Sequence, residues 1–394
     1  MLITFEEAVR AVLERATPLT AEQVDLGEAA GRVLAEPAVA TVDLPPFAAS
    51  AMDGYALRAE DTPGTFPVVF RIAAGRPATR PLEAREAMAI ATGGAVPEGA
   101  DAVVPIEAVE EGDGTLDVPE GVEAGANVRP RGGDVAAGSE VVPARVRLGP
   151  AQIGALAAAG VDSVACARRP RAAIVATGSE LRPVGATLGP GEIYESNGAM
   201  LVAQLTAAGA EVTPPVVAAD DDAAHREAID DGLRHDVLIT SGGVSVGPHD
   251  LVRRVERELG VEEVFWGVAV KPGKPLSFGV RGTTLVFGLP GNPVSSLVSC
   301  ALFVLPAIAA LQGATSPGPT LEWGRLSAPA RRDPHRDAFL RAVAGPSDTG
   351  MEISLVHGQE SHMITRAAGA NALALVRRGE GECPAGALVE YLRL

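Results

Sequence analysis

Apolar side chains recur at helical spacing near the start of the chain. In residues 4–16 they lie three and four positions apart, and Thr4 and Glu7 have the spacing of a capping box, so a helix is predicted there. A second helical piece is predicted near 26–35. A short helix is predicted over 150–160, where a proline opens the segment and a glycine closes it.

A different pattern follows the N-terminal segment. Short apolar runs such as FPVVFRI and DAVVPIEAV are separated by glycine, proline and aspartate, which is typical of small strands joined by tight turns. We therefore predict a β-rich insert domain over 45–139. The helix at 150–160 could pack with the N-terminal helices. This would make the first domain small, helical and discontinuous, built from 1–44 and 140–170.

Strand-like and helix-like segments alternate from residue 171 onward. Apolar runs such as RAAIVAT, DVLIT and TTLVFGL alternate with amphipathic segments. This alternation predicts a doubly wound, mostly parallel α/β domain over 171–315. Beyond a linker rich in glycine and proline, short strands return over 316–394 and predict a small β-barrel or a sandwich. We take the β-barrel as the expected C-terminal domain. The expected fold class is multidomain α/β.

Composition excludes several functional classes. The 394 residues carry a formal net charge of −17 without a cluster of lysine and arginine, so nucleic acid is not an expected partner. The apolar stretch 293–312 is broken by Pro306, so we predict a buried helix and no membrane span. The N-terminus lacks the features of a signal peptide, and Cys166, Cys300 and Cys383 are isolated, so a cytoplasmic location is expected.

The distribution of lysine points to one loop. Of 33 basic side chains only two are lysine, Lys271 and Lys274, and both lie in the segment KPGKP. An exposed lysine is easily replaced by arginine, but a compact ammonium that must reach one oxygen is not. The pattern therefore favours a lysine pair that binds an anion, with composition bias as the alternative.

A glycine-rich loop follows the strand DVLIT. The segment 236–251, DVLITSGGVSVGPHDL, runs from a buried strand into the start of a helix, and loop amides beside a helix N-terminus favour an anion. This end of a doubly wound sheet is the usual ligand site, although a tight turn without a ligand is the simpler alternative. The candidate substrate-binding residues here are Ser241, Gly242, Gly243, Ser245 and Gly247.

Acidic residues follow three successive strands of the predicted sheet. Glu180 lies in TGSEL, Asp220 follows the strand that ends at Ala219, and Asp250 follows DVLIT. Carboxylates gathered at one sheet edge suit Mg²⁺, which binds one or two carboxylates together with substrate phosphates. Each acid taken singly is more often a helix cap.

Further candidates lie in rigid or glycine-rich turns. The loop GLPGNPVSS holds Pro290 and Pro293, and the β-rich insert carries Asp53 in SAMDGYAL, Thr92 in ATGGAV and Asp134 in NVRPRGGDV. Each stretch alone is more often a turn than a site.

Eight motifs in order give the chain a resemblance to a known family. PPFAASAMDGYA, TGGAVPEGADAVVP, NVRPRGGDV, TGSEL, SGGVSVGPHD, KPGKP, GLPGNPVSS and GQESHM resemble the molybdopterin molybdenumtransferases, which include the C-terminal domain of gephyrin. The resemblance implies an elongated four-domain homodimer. It also implies an enzyme that takes adenylylated molybdopterin from a molybdopterin adenylyltransferase and, with Mg²⁺ and molybdate, releases AMP and the molybdenum-loaded cofactor.

The resemblance implies roles for the matching residues. The implied catalytic residues are Asp53, Asp134, Lys271 and Lys274. The implied substrate contacts beyond the glycine-rich loop are Thr92, Glu180, Pro290, Pro293 and Ser361, with molybdate near the two prolines. The implied Mg²⁺ ligands are Glu180, Asp220 and Asp250.

Two departures and two alternative functions accompany the resemblance. Ala48 stands where the family often has aspartate, and Gly267 stands where many members have lysine. A pterin adenylyltransferase is an alternative because 171–312 resembles that family as well, but the additional β-rich domains disfavour it. A non-catalytic scaffold is the other alternative, and the lysines and carboxylates disfavour it.

Overall fold

The first helix begins with the capping box that the sequence predicts. The computed structural model describes residues 2–243, 251–348 and 350–394. Thr4 accepts from the amide of Glu7, and the Glu7 carboxylate accepts from the amide of Thr4. The helices are α1 (Phe5–Leu13), α2 (Pro150–Ala158), α3 (Asn197–Ala207), α4 (Asp222–Gly232), α5 (Leu251–Glu258), α6 (Pro293–Ser299), α7 (Leu305–Leu311) and α8 (Ile364–Ala367).

The predicted helical piece near 26–35 is wrong. The structure has only a single 3₁₀ turn there, Leu26–Glu28. Gly31 takes a left-handed backbone, φ +76°, which ends the helical path, and Leu34 then forms a β-bridge with Cys166. Pairing with a distant strand therefore determines the conformation of this segment.

The first strands belong to a small N-terminal unit and to the β-rich insert. They are β1 (Ala21–Asp25), β2 (Ala38–Val39), β3 (Ala49–Ser50), β4 (Gly54–Leu57), β5 (Gly64–Ile72), β6 (Ala87–Ile90), β7 (Ala102–Pro105), β8 (Glu110–Gly112), β9 (Thr115–Val118), β10 (Val128–Arg129), β11 (Glu140–Val142) and β12 (Ser163–Ala167). β1 pairs with β12 and β2 with β11, so segments on either side of the insert pack together with α2 around one apolar cluster. The insert forms a six-stranded sheet in the order β7-β4-β6-β5-β9-β8.

A seven-stranded sheet forms the α/β part of the molecule. The strands of this region are β13 (Arg171–Thr177), β14 (Leu181–Arg182), β15 (Ile193–Tyr194), β16 (Glu211–Val212), β17 (Val216–Ala218), β18 (Val237–Ser241), β19 (Glu262–Trp266), β20 (Val270–Lys271), β21 (Ser277–Arg281) and β22 (Thr284–Leu289). The order is β16-β13-β18-β22-β21-β19, with β17 also paired to β13. β13, β16, β17, β18 and β22 run parallel, and β21 and β19 form an antiparallel edge.

Apolar clusters cover both faces of this sheet. On one face α4 and α5 pack against it, and on the other α3, α6 and α7 form the largest core. α1 packs into that larger core, where Phe5 contacts Phe303 at a ring separation of 6.0 Å and Phe339 at 5.1 Å. From the sequence, α1 was expected to pack with α2 instead. The doubly wound arrangement is therefore as the sequence predicts.

The long apolar stretch after β22 is a core helix. α6 and α7 are joined by a π-helical turn, Cys300–Val304, into one helical run, Pro293–Leu311. This run is long and apolar enough to cross a membrane, but 83% of it is buried inside the protein. Its packing therefore favours the predicted buried helix.

The C-terminal segment closes into a five-stranded barrel. Its strands are β23 (Leu321–Leu326), β24 (Ala330–Arg331), β25 (Asp337–Ser347), β26 (Gly350–Leu355), β27 (Ala372–Val376), β28 (Glu382–Cys383) and β29 (Leu388–Arg393). The order β25-β26-β23-β29-β27 closes through β25–β27, and β20 joins it by pairing parallel with β25. The predicted fold class is thereby confirmed. The positions of the domain boundaries stay a prediction.

Candidate functional site

A cavity of about 610 Å³ opens at the carboxyl ends of the central parallel strands. The loops after β13, β18 and β22 form it together with the start of α3 and one loop of the C-terminal barrel. This is the usual ligand position in a doubly wound fold. The described residues that line it are Ala176, Thr177, Glu180, Leu181, Ile193, Tyr194, Glu195, Ser196, Asn197, Ser241, Gly242, Gly243, Pro275, Pro290, Gly291, Asn292, Pro293 and His362.

Two glycines let the loop after β18 pass close to its neighbours. Gly242 has φ +97°, and a Cβ there would lie 2.8 Å from the carbonyl oxygen of Thr177. Gly243 has φ +66°, and its Cβ would lie 2.5 Å from a methyl group of Val252. A side chain at either position would push the loop out of place. Of the remaining candidates in this loop, Ser245 and Gly247 lie outside the described residues.

Asn197 joins two of the loops that form the cavity. The side chain is 8% exposed, and its amide nitrogen donates to the hydroxyl of Ser241 at 2.9 Å and to the carbonyl of Gly291 at 2.8 Å. The glycine-rich loop and the loop carrying Pro290 and Pro293 are thus held together. Sequence reasoning missed Asn197, because a residue at a helix start gives no signal of a partner that lies 94 residues away.

The predicted acids divide into cavity and loop positions. Glu180 lines the cavity, and its carboxylate has no hydrogen-bond or ion-pair partner among the described residues. Asp220 accepts from the amide of Ser179 at 2.9 Å, which places it beside the Glu180 loop. The neighbouring Asp221 caps α4 by accepting from Ala224. Asp250 lies outside the described residues.

The loop that carries the two lysines contributes one residue, Pro275, to the lining of the cavity. Lys271 and Lys274 themselves are exposed and do not line it. The Lys271 ammonium lies 4.0 Å from the carboxylate of Asp333 in the C-terminal barrel. Burial raises the pKa of Asp333, but hydrogen bonds from the His335 amide and the Arg336 guanidinium lower the pKa by more. The net shift is downward, and the carboxylate is ionised at neutral pH.

The barrel contributes one loop to the site. Ser361 accepts from the side-chain amide of Asn292 at 3.0 Å, and its carbonyl accepts from the amide of Val294 at 3.0 Å. Arg341, 1% exposed, donates to carbonyls at both ends of this loop, those of Gly358 and Met363. The loop is therefore fixed against the start of α6, and it brings its histidine, His362, to the cavity; sequence reasoning did not single out this histidine.

Three candidate residues, Asp53, Thr92 and Asp134, belong to the insert. Asp53 accepts from Thr92 twice, from its amide at 2.7 Å and from its hydroxyl at 3.0 Å. These two hydrogen bonds hold the pKa of the Asp53 carboxyl below its usual value, and the bond from the Thr92 amide has the larger effect. Asp134 is exposed. None of the three belongs to the described residues that line the cavity.

The charge of the cavity lining is negative. Among its described residues it contains two carboxylates, Glu180 and Glu195, and neither lysine nor arginine. No group of three or more histidine, cysteine, aspartate or glutamate side chains suited to a metal occurs in the described part of the chain. An anionic ligand would therefore depend on backbone amides and on positive charge from outside this lining.

Comparisons with known proteins match every part of the chain. Family models match at residues 3–160 (MoeA N-terminal region, domains I and II), 173–310 (probable molybdopterin binding domain) and 324–394 (MoeA C-terminal region, domain IV). A crystal structure of a molybdopterin biosynthesis moeA protein from Pyrococcus horikoshii OT3 superposes with a TM-score of 0.86 at 27% identity, covering 100% of both chains.

Curated relatives extend this similarity to the level of the family. The molybdopterin molybdenumtransferase of Haemophilus influenzae is 33% identical over 98% of each chain. Molybdopterin molybdenumtransferase 2 of Mycobacterium tuberculosis is 36% identical over 86% of this chain and 82% of its own. The resemblance inferred from the motifs is thus confirmed, and the chain belongs to the molybdopterin molybdenumtransferase family, transferases of molybdenum cofactor biosynthesis.

Proposed function

We propose that the protein inserts molybdenum from molybdate into adenylylated molybdopterin, with Mg²⁺-dependent release of AMP, as the final step of molybdenum cofactor synthesis. The observation that carries this proposal is the cavity at the carboxyl ends of β13, β18 and β22. It combines a glycine-rich loop with a carboxylate that has no partner among the described residues, Glu180. A substrate with both phosphates and a bound cation fits such a lining.

The residues present fit Mg²⁺ by their chemistry. Glu180 and Asp220 offer hard carboxylate oxygens on adjacent loops, and Asp250 follows the next strand in the sequence. Mg²⁺ usually keeps several waters and takes one or two carboxylates plus substrate phosphates, so two protein ligands suffice. When bound, it would neutralise charge on the phosphate oxygens in a lining that otherwise repels anions.

The lysines complete the anion site in this proposal. Lys271 and Lys274 are exposed on the loop that contributes Pro275 to the lining, and in this proposal their ammonium groups bind phosphate or molybdate oxygens. Pro290 and Pro293 line the cavity and Ser361 contacts the same loop through Asn292, and molybdate is proposed to bind near the prolines. Ser241, Gly242 and Gly243 line the same space, and the two glycines leave this part of the wall without side chains, so that an anionic group can come close to the backbone.

We propose that the insert acts on the cavity of a partner subunit in a homodimer. Two exposed apolar residues adjoin Asp53: Met52 precedes it, and Ile106 donates its amide to the Asp53 carbonyl at 3.1 Å. Exposed apolar groups in one place are typical of a protein interface. In such a dimer Asp53 or Asp134 orients the attacking oxygen, which comes from water or from molybdate.

Molybdate-dependent release of AMP tests the proposal. Purified adenylylated molybdopterin should yield AMP with this protein only when molybdate and Mg²⁺ are both present. Consumption of ATP with free molybdopterin would instead identify an adenylyltransferase, and release of no AMP would leave a scaffold. In the proposed pathway an adenylyltransferase hands over the substrate, and both proteins work in the cytoplasm.

A further inference from the structure

A structured flap covers one side of the cavity. It runs over 181–195, and β14 pairs parallel with β15 at its base. An ion pair of 2.5 Å joins Arg182 to Glu192, and Glu192 also accepts from the amide of Gly189 at 2.7 Å. The flap is therefore held in shape by its own contacts, independently of any ligand.

The flap presents the one tyrosine of the chain whose ring is exposed. Tyr194 is 42% exposed and lines the cavity, whereas Tyr55 and Tyr391 are 2% and 0% exposed. The Tyr194 hydroxyl donates to the carbonyl of Ala186 at 2.9 Å, so the ring is held at both its backbone and its hydroxyl end. A fixed, exposed aromatic face on a cavity wall is suited to stack against a planar ring.

Glu195, the next residue, supplies an acceptor at the same wall. One of its oxygens accepts from the amide of Gly198 at 2.8 Å, and the other has no partner among the described residues. An ionised carboxylate can only accept hydrogen bonds. Close to phosphates it would be repelled, so the part of a ligand that faces Glu195 should carry hydrogen-bond donors and not phosphate oxygens.

We propose that Tyr194 and Glu195 form the subsite for the pterin ring of the substrate. The planar pyrimidinone ring of a pterin would stack on Tyr194, and its adjacent 2-amino and N3–H groups would donate to Glu195. Adenine, the other ring of the substrate, carries an acceptor nitrogen beside its amino group and so lacks this pair of donors. The inference rests on the proposed function and adds to it the orientation of the substrate, with the pterin at the flap.

Binding of pterin-6-carboxylate and of AMP, each titrated alone, tests this orientation. Pterin fluorescence reports the first probe and calorimetry the second. Tyr194→Ala should weaken pterin-6-carboxylate about tenfold or more, since stacking on one aromatic ring contributes that much. Glu195→Gln keeps an acceptor for Gly198 but loses the carboxylate, and should weaken it about tenfold. Both variants should leave AMP affinity within about twofold.

Two control variants separate recognition from flap folding. Tyr194→Phe keeps the ring and should retain pterin binding within about threefold, and Val184→Ala, at an exposed position of the same flap outside the cavity lining, should behave like wild type. Loss of AMP but not pterin binding in Tyr194→Ala would assign the ring to adenine and overturn the proposal. An equal loss of both probes in all four variants, or no saturable pterin binding by the wild type, would overturn it too. Molybdate-dependent AMP release by the wild type is measured separately, so the proposed function can stand when this orientation fails.

Discussion

At the scale of single residues, composition gave the clearest signal. Lys271 and Lys274 stood out because they are the only lysines of the chain, and the loop that carries them contributes Pro275 to the lining of the cavity. Asp333, which lies 4.0 Å from Lys271, gave no signal, because its proximity depends on how the barrel packs against the sheet. Contacts of this kind depend on tertiary structure and cannot be inferred from spacing in one sequence.

Exchange of Lys271 for arginine should nearly abolish molybdate-dependent AMP release while the melting temperature stays close to wild type. A planar guanidinium cannot place its donors where a compact ammonium does. The matched control is Arg281→Lys, a conservative change at an exposed position outside the cavity lining, which should keep full activity. Near-normal turnover by Lys271→Arg would show that the two lysines are an accident of composition.

Thr92→Val should raise the pKa of the Asp53 carboxyl, measured by NMR titration of labelled aspartate. The Thr92 amide, the larger cause of the depression, still donates, so the pKa should remain below its usual value. Because the folded-state pKa is depressed, this interaction stabilises the fold above the unfolded pKa, and the contribution is lost as pH falls through the folded pKa. As a control, Thr65→Val removes a comparable hydroxyl hydrogen bond, to Asp117, and should leave the pKa of Asp53 unchanged.

Among the elements, those defined by local periodicity were predicted and those defined by pairing were not. The capping box of α1 and the alternation of strand and helix after residue 171 agree with the structure. β21 was not predicted, because its pairing with β22 in a tight hairpin and with β19 on its other side, and not its own pattern, makes it a strand. The acids after the strands illustrate the same limit, since Asp220 and Asp221 look alike in sequence.

Asp220→Asn should raise the Mg²⁺ concentration that gives half-maximal AMP release, because it removes an anionic ligand while an oxygen remains for the Ser179 amide. Asp221→Asn is the control, since asparagine caps a helix about as well as aspartate and the cap on α4 should persist. Identical Mg²⁺ titrations for the two variants would place the metal away from Asp220.

At the scale of the whole molecule, the chain divides its candidate residues between two places. Glu180 and the glycine-rich loop line the cavity, whereas Asp53, Thr92 and Asp134 lie on the insert outside the described lining. The resemblance implied roles for both sets, but the sequence alone could not show which residues lie together, because no local pattern encodes the orientation of an insert. A homodimer would bring the two sets together.

Mixing two inactive variants tests that arrangement. In a heterodimer of Asp53→Ala and Glu180→Ala chains, one site would carry both lesions and the other neither, because a two-fold dimer has two equivalent sites. With random exchange about half the dimers are mixed, so about a quarter of wild-type AMP release should return. Native mass spectrometry of differently tagged chains confirms exchange. Mixed dimers without recovered activity would mean that each site is built within one chain.

The pairing of β20 with β25 connects the lysine loop to the cooperative unit of the barrel. Val270 and Lys271 lie in register with Asp337 and Ala338, and the Asp337 amide donates to the carbonyl of Ala269 at 2.9 Å. Proteins open in cooperative segments, and the amide hydrogens of a segment exchange with solvent when that segment opens. In native-state hydrogen exchange, peptides covering the β20–β25 pair should therefore lose protection together with the barrel, while β18 and β22 stay protected. A substitution that loosens only the barrel would then release the lysines and end catalysis in a protein whose α/β core is still folded.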